Sequence, residues 1–222
     1  MGNVTSLSYP KKSNRKPARL PESSVFLAEF FGIMLGDGGI NNPWQANITL
    51  NAVKDIAFAR HVRHLIRALF AVTPTQFRYK TRNALRILVS SVSVVDFLVS
   101  KGLKRGDKLA QGLRIPRWIL GSSEYKRACV RGLVDTDGCI FIHKHIVAGK
   151  PYKNIGLTFS SRSPELIFQV AAIFEEFGIV PHITGRGTDI YIYREAGVAR
   201  YLKVFGSSNT RIKSVYAKWK RG

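Results

Sequence analysis

The stretch FFGIMLGDG, residues 30–38, decides the fold of this chain, because VRGLVDTDG at residues 130–138 repeats its pattern 100 positions later. In both stretches small residues recur every four positions, which places them along one narrow stripe of an α-helix. Two helices that carry such stripes can pack with their backbones unusually close. We therefore expect a central helix pair with the contact residues Ala28, Gly32 and Gly36 on one helix and Ala128, Gly132 and Thr136 on the other.

Each stretch ends in Asp-Gly, and a glycine at this position predicts a helix stop in the left-handed conformation. If the stripes pack, Asp37 and Asp137 come side by side at the negative ends of both helices. Two like charges in such a place need compensation, which Mg²⁺ typically provides with one or two carboxylates and substrate phosphates. A single Asp-Gly would indicate only a turn. Two copies in register favour a metal site.

The two motifs resemble the paired dodecapeptide motifs of the LAGLIDADG homing endonucleases, in their single-chain, two-repeat form. One position departs from the family pattern, since the first acid is Asp135 in the second motif but Leu35 in the first. The second acid, which is catalytic in the family, is present in both copies. The resemblance implies an α+β fold with two pseudo-twofold-related α-β-β-α-β-β-α halves. Their antiparallel sheets would form a DNA-binding saddle, with the motif helices packed at its centre.

Hydrophobic periodicity and turn residues give the same plan along the chain. We expect a basic N-terminal arm over residues 1–22, a first repeat over 23–120 and a second repeat over 121–222. The predicted helices are 24–36, 55–70, 92–101, 125–136, 164–177 and 196–205, with a helical or frayed end at 211–221. The predicted strands are two short ones within 40–51, then 76–82, 85–90, 139–145, 153–160, 182–186 and 189–194.

The net charge of the chain favours some classes of partner over others. The chain has 35 Lys and Arg against 14 Asp and Glu, a net charge of +21, which indicates a polyanionic partner such as nucleic acid. No stretch approaches the roughly 18 uncharged apolar residues of a membrane-spanning helix, so no membrane partner is expected. Cys129 and Cys139 lack the spacing of a zinc site or a disulfide framework. Free thiols indicate a reducing compartment: the cytoplasm or nucleoid of a prokaryote or an organelle, not secretion.

Strand alternation selects the side chains that would face DNA. Arg78, Lys80 and Arg82 alternate along one strand of a hairpin and Arg86 continues on the next, which suits a two-stranded ribbon in the major groove. Such cations also protect exposed sheet edges. The His-x-His pair of residues 143 and 145 could instead hold zinc. The residues predicted to contact DNA are Asn41, Gln45, Asn47, Thr49, Arg78, Lys80, Arg82, Arg86, Phe141, His143, His145, Lys153, Arg186, Tyr191 and Tyr193.

The resemblance also implies the catalytic set. Asp37 and Asp137 would hold two or three Mg²⁺ ions with the carbonyls of Gly36 and Thr136. Mn²⁺ would substitute for Mg²⁺, and Ca²⁺ would bind without supporting cleavage. A polar residue after the second strand of each half, and a lysine near the end of each half, would order water and stabilise the transition state. These are Asn51, Ser161 (or Ser160), Lys108 and Lys213, with Arg211 as a rival to Lys213.

The expected function is therefore a monomeric, intron-encoded, Mg²⁺-dependent endonuclease that breaks both strands of a long asymmetric DNA target. The alternative is a non-cleaving nucleic-acid binder of the same fold, such as an intron RNA maturase. A basic structural or ribosome-associated protein would explain the charge but not the repeat. Intact acids in both motifs favour the enzyme.

Overall fold

The computed structural model describes residues 5–6 and 17–221 of the chain. Most of the predicted basic arm therefore lies outside the described residues. Its described end is packed on the first repeat, because Ala18 is buried and the guanidinium of Arg19 donates to the carbonyl of Ala68 at 3.2 Å.

The described residues form eight α-helices and ten strands. The helices are α1 (Val25–Gly36), α2 (Ile56–Phe70), α3 (Val92–Ser100), α4 (Arg117–Leu120), α5 (Ser123–Asp137), α6 (Pro164–Glu176), α7 (Glu195–Val204) and α8 (Thr210–Arg221). The strands are β1 (Thr5–Ser6), β2 (Arg19–Leu20), β3 (Gly38–Asn42), β4 (Gln45–Asn51), β5 (Thr75–Arg78), β6 (Ala84–Ser90), β7 (Gly138–Val147), β8 (Lys150–Ser160), β9 (His182–Ile183) and β10 (Asp189–Ile192).

Two four-stranded antiparallel sheets repeat the same topology, with strand orders β3-β4-β6-β5 and β7-β8-β10-β9. Each sheet follows one motif helix and is joined through α2 or α6, so the predicted α-β-β-α-β-β-α plan is confirmed for both halves. Gly38 pairs with Ile48, and Gly138 pairs with Phe159. These pairs fix which residues of the two sheets are equivalent.

One core runs through both halves. Alternate strand residues face it, including Ile48 and Ile87 in the first sheet and Phe159 and Ile190 in the second. Helix α1 lies at the centre and is buried from Leu27 to Leu35. A helix that is apolar nearly all round needs neighbours on every side, which is why the motif helix is the centre of the fold.

Several strand boundaries differ from the sequence prediction. Strands β9 and β10 end three and two residues earlier than expected, at Ile183 and Ile192. Strand β5 ends at Arg78, four residues earlier than expected, so Lys80 and Arg82 lie beyond the ladder. Strands β7 and β8 extend to a two-residue turn at Ala148 and Gly149, whose φ values are 48° and 75°. Positive φ at both central residues suits the twist of a tight hairpin, whereas the sequence placed the loop one to two residues later.

Candidate metal centre and nucleic-acid interface

Helices α1 and α5 pack so closely that their backbones touch at two glycines. A Cβ atom added to Gly32 would lie 2.9 Å from the carbonyl carbon of Cys129, and one added to Gly132 would lie 2.9 Å from the amide nitrogen of Ile33. Side chains essentially never approach backbone atoms this closely. Only glycine therefore allows the two helices this separation.

The same contact continues to the C-terminal ends of the helices. A Cβ atom at Gly36 would lie 2.7 Å from Oδ2 of Asp137 and 2.9 Å from Cβ of Thr136. The Thr136 hydroxyl donates within its own helix, to the carbonyls of Gly132 at 3.1 Å and Leu133 at 2.8 Å. The missing side chain of Gly36 thus provides the space beside α1 in which the Asp137 carboxylate lies. Ala28 and Ala128, at the other end of the predicted stripes, are buried.

Asp37 and Asp137 end their helices and interact with each other electrostatically. Burial, together with the charge of Asp137, raises the pKa of Asp37 to about 7, although the charge of Lys108 opposes both effects. Burial also raises the pKa of Asp137 to about 6, again opposed by Lys108. Two buried carboxylates that repel one another bind a divalent cation favourably, because the cation offsets both charges.

The glycines that follow the two acids are required by space and not by conformation. Neither Gly38 nor Gly138 has a positive φ, and Gly138 is extended, with φ −103° and ψ 164°. A Cβ at Gly38 would lie 2.7 Å from Sδ of Met34, and one at Gly138 would lie 2.6 Å from Cγ1 of Val134. The predicted left-handed helix stop is wrong. The chain turns from helix directly into strand, back against the preceding helical turn.

Lys108 caps the end of α1 from the loop that follows α3. Its ammonium donates to the carbonyls of Leu35 at 2.7 Å, Gly38 at 2.8 Å and Met34 at 3.3 Å, and also to that of Gly36. Burial lowers the pKa of Lys108, and the two motif aspartates raise it in opposition. The lysine therefore places a positive charge at the negative end of the helix and beside the acid pair.

Arg211 is the counterpart of Lys108 in the second repeat. Both terminal nitrogens of its guanidinium lie 3.5 Å from the carbonyl oxygen of Gly138, and Nε donates to Oδ1 of Asp55 at 3.2 Å. Lys213, the residue favoured from the sequence, is exposed on α8. Two residues along a helix turn a side chain by about 200°, so Arg211 and Lys213 point in nearly opposite directions. The structure brings Arg211 to the acids.

The sequence did not single out Asp55 or Asn209. Asp55 raises the pKa of Asp37 by its charge, and its carboxylate accepts hydrogen bonds from the amide of Asn51 at 3.3 Å and from Nδ2 of Asn209 at 3.0 Å. Asn209 is buried and also donates to the carbonyl of Asp135 at 3.0 Å. From the sequence Asp55 could be recognised only as the first residue of the predicted helix 55–70. Nothing local in the sequence links it to residue 209.

A buried ionic cluster joins the two repeats behind the acids. The carboxylate of Glu29 on α1 accepts from Arg131 on α5 at 2.6 Å and from the Ser208 hydroxyl at 2.6 Å, and it lies 2.8 Å from Nε2 of His61. Burial by itself would raise the pKa of Glu29, but these hydrogen bonds and the charge of Arg131 lower it to about 2. Glu29 therefore stays ionised and ties both motif helices to the segment before α8.

Asp135, the extra acid of the second motif, is buried and hydrogen-bonded within the protein. Its carboxylate accepts from the Ser207 hydroxyl and from the Ser208 amide, the latter at 2.7 Å. Burial raises its pKa to about 7. The equivalent residue of the first motif, Leu35, is buried among apolar side chains. The asymmetry between the motifs thus reflects the surroundings of each side chain: Ser207 and Ser208 contact Asp135, whereas Leu35 belongs to the apolar core.

The polar residues after β4 and β8 are not symmetric. Asn51 caps the next turn, with its side-chain oxygen accepting from the amides of Val53 and Lys54, both at 2.9 Å. The sheet registers make Thr49 equivalent to Ser160, and Asn51 to Arg162. Ser161 is therefore out of register with Asn51. It nevertheless lines a cavity of about 360 Å³ with Asp137, Lys108, Ser160, Arg162 and Asp189.

Comparisons with known proteins agree with this geometry. The sequence profile of the LAGLIDADG-like domain matches residues 124–212. The DNA-bound I-LtrWI LAGLIDADG homing endonuclease superposes with a TM-score of 0.58 at 10% identity, over 87% of this chain and 88% of that one. The chain has the two-repeat LAGLIDADG fold. The homing endonuclease I-DmoI, in structures of its mesophilic variants, gives a TM-score of 0.56 at 15% identity, over 82% of this chain and 96% of that one.

This chain is also similar to proteins that are not named as homing endonucleases. Full-length DUF199/WhiA from Thermatoga maritima gives a TM-score of 0.57 at 14% identity, over 91% of this chain and 63% of that one. The tRNA-splicing ligase RtcB of Pyrococcus furiosus is 24% identical over 227 residues, which cover 92% of this chain. This chain spans 22% of the length of that ligase. In the described residues no helix is long and apolar enough to cross a membrane.

The first sheet of this LAGLIDADG fold presents amides and one central arginine on its solvent face. Asn47, Thr49 and Arg86 share this face, because Thr49 pairs with Arg86 across the sheet. Arg86 donates to Oδ1 of Asn47 at 3.2 Å, and Nδ2 of Asn47 donates to the carbonyl of Gly39 at 3.0 Å. Gln45 donates to the Ser90 hydroxyl at 3.1 Å. Asn41 is exposed near the β3–β4 turn.

The four cations of the first hairpin do not share one face. Arg78 pairs with Leu85, which is buried on the core side, whereas Phe77 pairs with Arg86. Arg78 and Arg86 therefore point to opposite faces of the sheet. Arg82 lies in the turn, with its guanidinium 3.9 Å from the centre of the Tyr79 ring. The predicted row of cations is wrong, because alternation was read through a strand that ends at residue 78.

The second sheet presents rings on its solvent face. Phe141, His143, His145 and Tyr191 have the same outward register, and Tyr193 stacks on Tyr191 with the ring centres 5.4 Å apart. Lys153, in contrast, pairs with Lys144 on the opposite face, and its ammonium lies 5.3 Å from the centre of the Trp219 ring on α8. Arg186 is exposed in the turn between β9 and β10. Lys153 is therefore directed away from the face predicted to contact DNA.

Proposed function

We propose that this chain is a monomeric, site-specific endonuclease that hydrolyses both strands of a long asymmetric DNA duplex with Mg²⁺. The repeats would span residues 23–120 and 121–222. One observation carries the proposal: each repeat contributes one buried aspartate, Asp37 or Asp137, to a common site at the ends of two touching helices. A duplicated acid on a pseudo-twofold axis would supply one centre for each strand break. DNA-bound homing endonucleases of the same fold support the substrate.

The residues present fit divalent ions. The space left by the missing side chain of Gly36 admits the Asp137 carboxylate beside α1. In residues 17–221 no group of three or more His, Cys, Asp or Glu side chains is placed to hold a metal ion, so the two acids would form only part of a ligand set. Asp37 and Asp137, with the carbonyls of Gly36 and Thr136, would hold the ions, and phosphate oxygens and water would complete the ligand set, as Mg²⁺ prefers. Bound Mg²⁺ would polarise the phosphoryl group and lower the pKa of a bound water.

Lys108 and Arg211 would act beside the acids, one in each repeat. Each already donates to a carbonyl that directly follows a motif aspartate, Gly38 or Gly138. A cation held there can attract a phosphate and stabilise the negative charge that develops on its oxygens. Arg211 is oriented by its ion pair with Asp55, so Asp55 positions the arginine. We propose Arg211, in place of Lys213, as the basic residue of the second centre.

The polar groups around the cavity would order water and sugar-phosphate atoms. Ser161 and Arg162 line it together with Asp137, so they would contact the backbone of a bound duplex near one scissile phosphate. Asp189 also lines it, and hydrogen bonds from Ser160 at 2.6 Å and Thr188 at 2.7 Å lower the pKa of its carboxyl group. An ionised Asp189 repels phosphate, so it would keep the DNA backbone on that side of the cavity where Arg162 lies.

The test replaces each motif acid without changing its shape. Asp37→Asn and Asp137→Asn should abolish double-strand cleavage in Mg²⁺ while DNA affinity in Ca²⁺ stays within a few-fold of the parent, because the acids hold metal and do not read bases. Asp96→Asn is the matched control, since Asp96 is exposed on α3 and forms its ion pair with Arg105, away from the motif acids. Retained cleavage by Asp37→Asn would refute the proposed centre. Selective binding of structured RNA without any DNA cleavage would instead favour the maturase function.

A further inference from the structure

Two groups of contacting rings lie on the solvent face of the second sheet. The Phe141 ring lies over Gly156 of the neighbouring strand, where an added Cβ would lie 3.0 Å from both Cε atoms of the ring. Phe141 meets Tyr191 edge to face, with ring centres 6.3 Å apart. Tyr191 stacks on Tyr193 with an angle of 2° between the rings, and Tyr193 is 5.8 Å from His182. The row thus crosses from β7 over β8 to β10 and β9.

A second stack continues the surface toward the hairpin turn. The rings of His143 and His145 are nearly parallel with centres 5.1 Å apart, and His145 stacks on Tyr152 at 5.7 Å. Tyr152 and Tyr193 are about half exposed, at 48% and 56%. These two rings are therefore available to a partner.

Cations are nearly absent from this face. Among residues of the described strands β7 to β10, Lys150 beside the turn is the one lysine or arginine with outward register, and Asp189 at the other end is the one acid. The first sheet instead places Arg86, Asn47 and Thr49 at its centre. The two halves of the saddle therefore offer different chemistry: donors and acceptors on the first sheet, and ring edges on the second.

The ring geometry distinguishes between two nucleic-acid partners. Unpaired bases stack on ring faces that lie open on a sheet. Here parallel neighbours with ring centres 5.1–5.7 Å apart partly cover one another's faces in both the Tyr191–Tyr193 and the His143–His145–Tyr152 stacks. This stacking reduces the open ring faces and leaves the ring edges available, with apolar carbon and a few hydroxyl and imidazole groups. Edges of this kind suit the floor of a major groove, where the C5 methyl of thymine is the apolar feature.

We propose that the second sheet selects a thymine-rich half-site by contact between its rings and thymine methyl groups, while the first sheet reads its half-site by hydrogen bonds. The proposal rests on the proposed binding of duplex DNA. The sheet adjoins the cleavage centre, since Ser160 and Asp189 at its inner end share the cavity with Asp137. Because few cations lie on this face, its contacts contribute specificity with little dependence on salt.

The experiment removes the methyl groups and leaves base pairing intact. The duplex preferred by the full chain is first selected from a random library in Ca²⁺. Its thymines are then replaced by deoxyuridine in one half-site or in the other, and affinities are measured. Replacement in the half-site that the second sheet contacts should weaken binding by about fourfold for each contacted methyl. Replacement in the half-site that the first sheet contacts should change the affinity less than twofold.

Matched variants assign the effect to the second sheet. Tyr193→Ala and Tyr191→Ala should remove the sensitivity to deoxyuridine, with an unchanged slope of affinity against salt concentration. Arg86→Ala, on the first sheet, should keep the sensitivity. Because Tyr191 is half-buried, its variant is compared with that of the exposed Tyr193 and checked by its melting temperature.

The possible outcomes distinguish failure of methyl recognition by the second sheet from failure of the proposed function. A selected duplex without excess thymine in either half-site, or equal tolerance of deoxyuridine in both, overturns methyl recognition while duplex binding stands. Loss of sensitivity in Arg86→Ala but not in the tyrosine variants overturns the assignment to the second sheet. Failure to select any duplex refutes the proposed function, and methyl recognition with it.

Discussion

Replacing Gly32 by alanine tests whether the two repeats are held together by backbone contact. In an ordinary helix this change stabilises by about 1 kcal/mol, because alanine has the higher helix propensity. Here the new Cβ would lie 2.9 Å from the carbonyl carbon of Cys129, and backbone atoms cannot rotate away as a side chain can. The nearest atom is the carbonyl oxygen of Cys129, so the helices must separate until the new Cβ clears that whole carbonyl group.

Overpacking of this kind costs about 1–3 kcal/mol. Because the contact is with backbone, we expect the upper end of that range, so that after the propensity gain Gly32→Ala loses roughly 2 kcal/mol of unfolding free energy. Separating α1 from α5 also moves Asp37 away from Asp137. Displacements of about 1 Å reduce rates by about 10²-fold, so cleavage should fall by one to two orders of magnitude.

Urea unfolding and single-turnover cleavage measure both effects. Gly185→Ala is the control, because nothing lies within 4 Å of a Cβ added there and its φ is not positive. This control should stay within about 0.5 kcal/mol of the parent. If Gly32→Ala is as stable as the parent, or more stable, the close helix contact is not what holds the repeats together.

Three further predictions concern charge. The pKa of Glu29 falls from 4.5 to about 2 on folding. Ionised Glu29 therefore contributes about 3 kcal/mol to the free energy of unfolding above pH 4.5, and this contribution is lost as the pH falls toward 2. In Glu29→Gln, circular dichroism should show no loss of stability from this titration during acid unfolding. The pKa of Asp37 is raised from 3.8 to about 7, so stability without divalent ions should fall as the pH rises from 4 through 7. Asp37→Asn should make this fall smaller in thermal melts, with the share of Asp135 and Asp137 left in place. DNA affinity should fall by about 10³-fold or more between low and moderate salt if several phosphates are contacted, as filter binding would measure.

The centre of the fold could be predicted from the sequence because it depends on local pattern. The spacing of Gly32 and Gly132 specified a close helix pair, and the predicted helix 24–36 became Val25–Gly36. Ser24 caps that helix by accepting from the amide of Leu27 at 3.2 Å. Small residues, caps and acids at helix ends act within a few residues, so they are visible without a structure.

The solvent faces of the sheets were less predictable. Alternation assigns residues to two faces but does not say where a strand ends, so Arg78 was placed with Arg86 although cross-strand pairing puts them on opposite faces. The same limit applied to Lys153, whose strand extends past the core to meet α8. Pairing register is a long-range property that one strand does not contain.

Residues that support the acids were missed for a related reason. Glu29 and Ser208 are hydrogen-bonded although 179 positions apart, and Asp55 and Arg211 are 156 apart. Their pairing depends on how the end of the second repeat folds back between the two halves. In the sequence each is an unremarkable polar residue near a helix end.

Cleavage of a randomised duplex library in Mg²⁺, with Ca²⁺ as the control, tests the central claim most directly. The account predicts sequenced ends that cluster at one long asymmetric site, with breaks in both strands, in Mg²⁺ and not in Ca²⁺. Selective retention of duplexes in both metals, with no new ends, would contradict it and leave a DNA-binding protein whose paired aspartates do not catalyse hydrolysis.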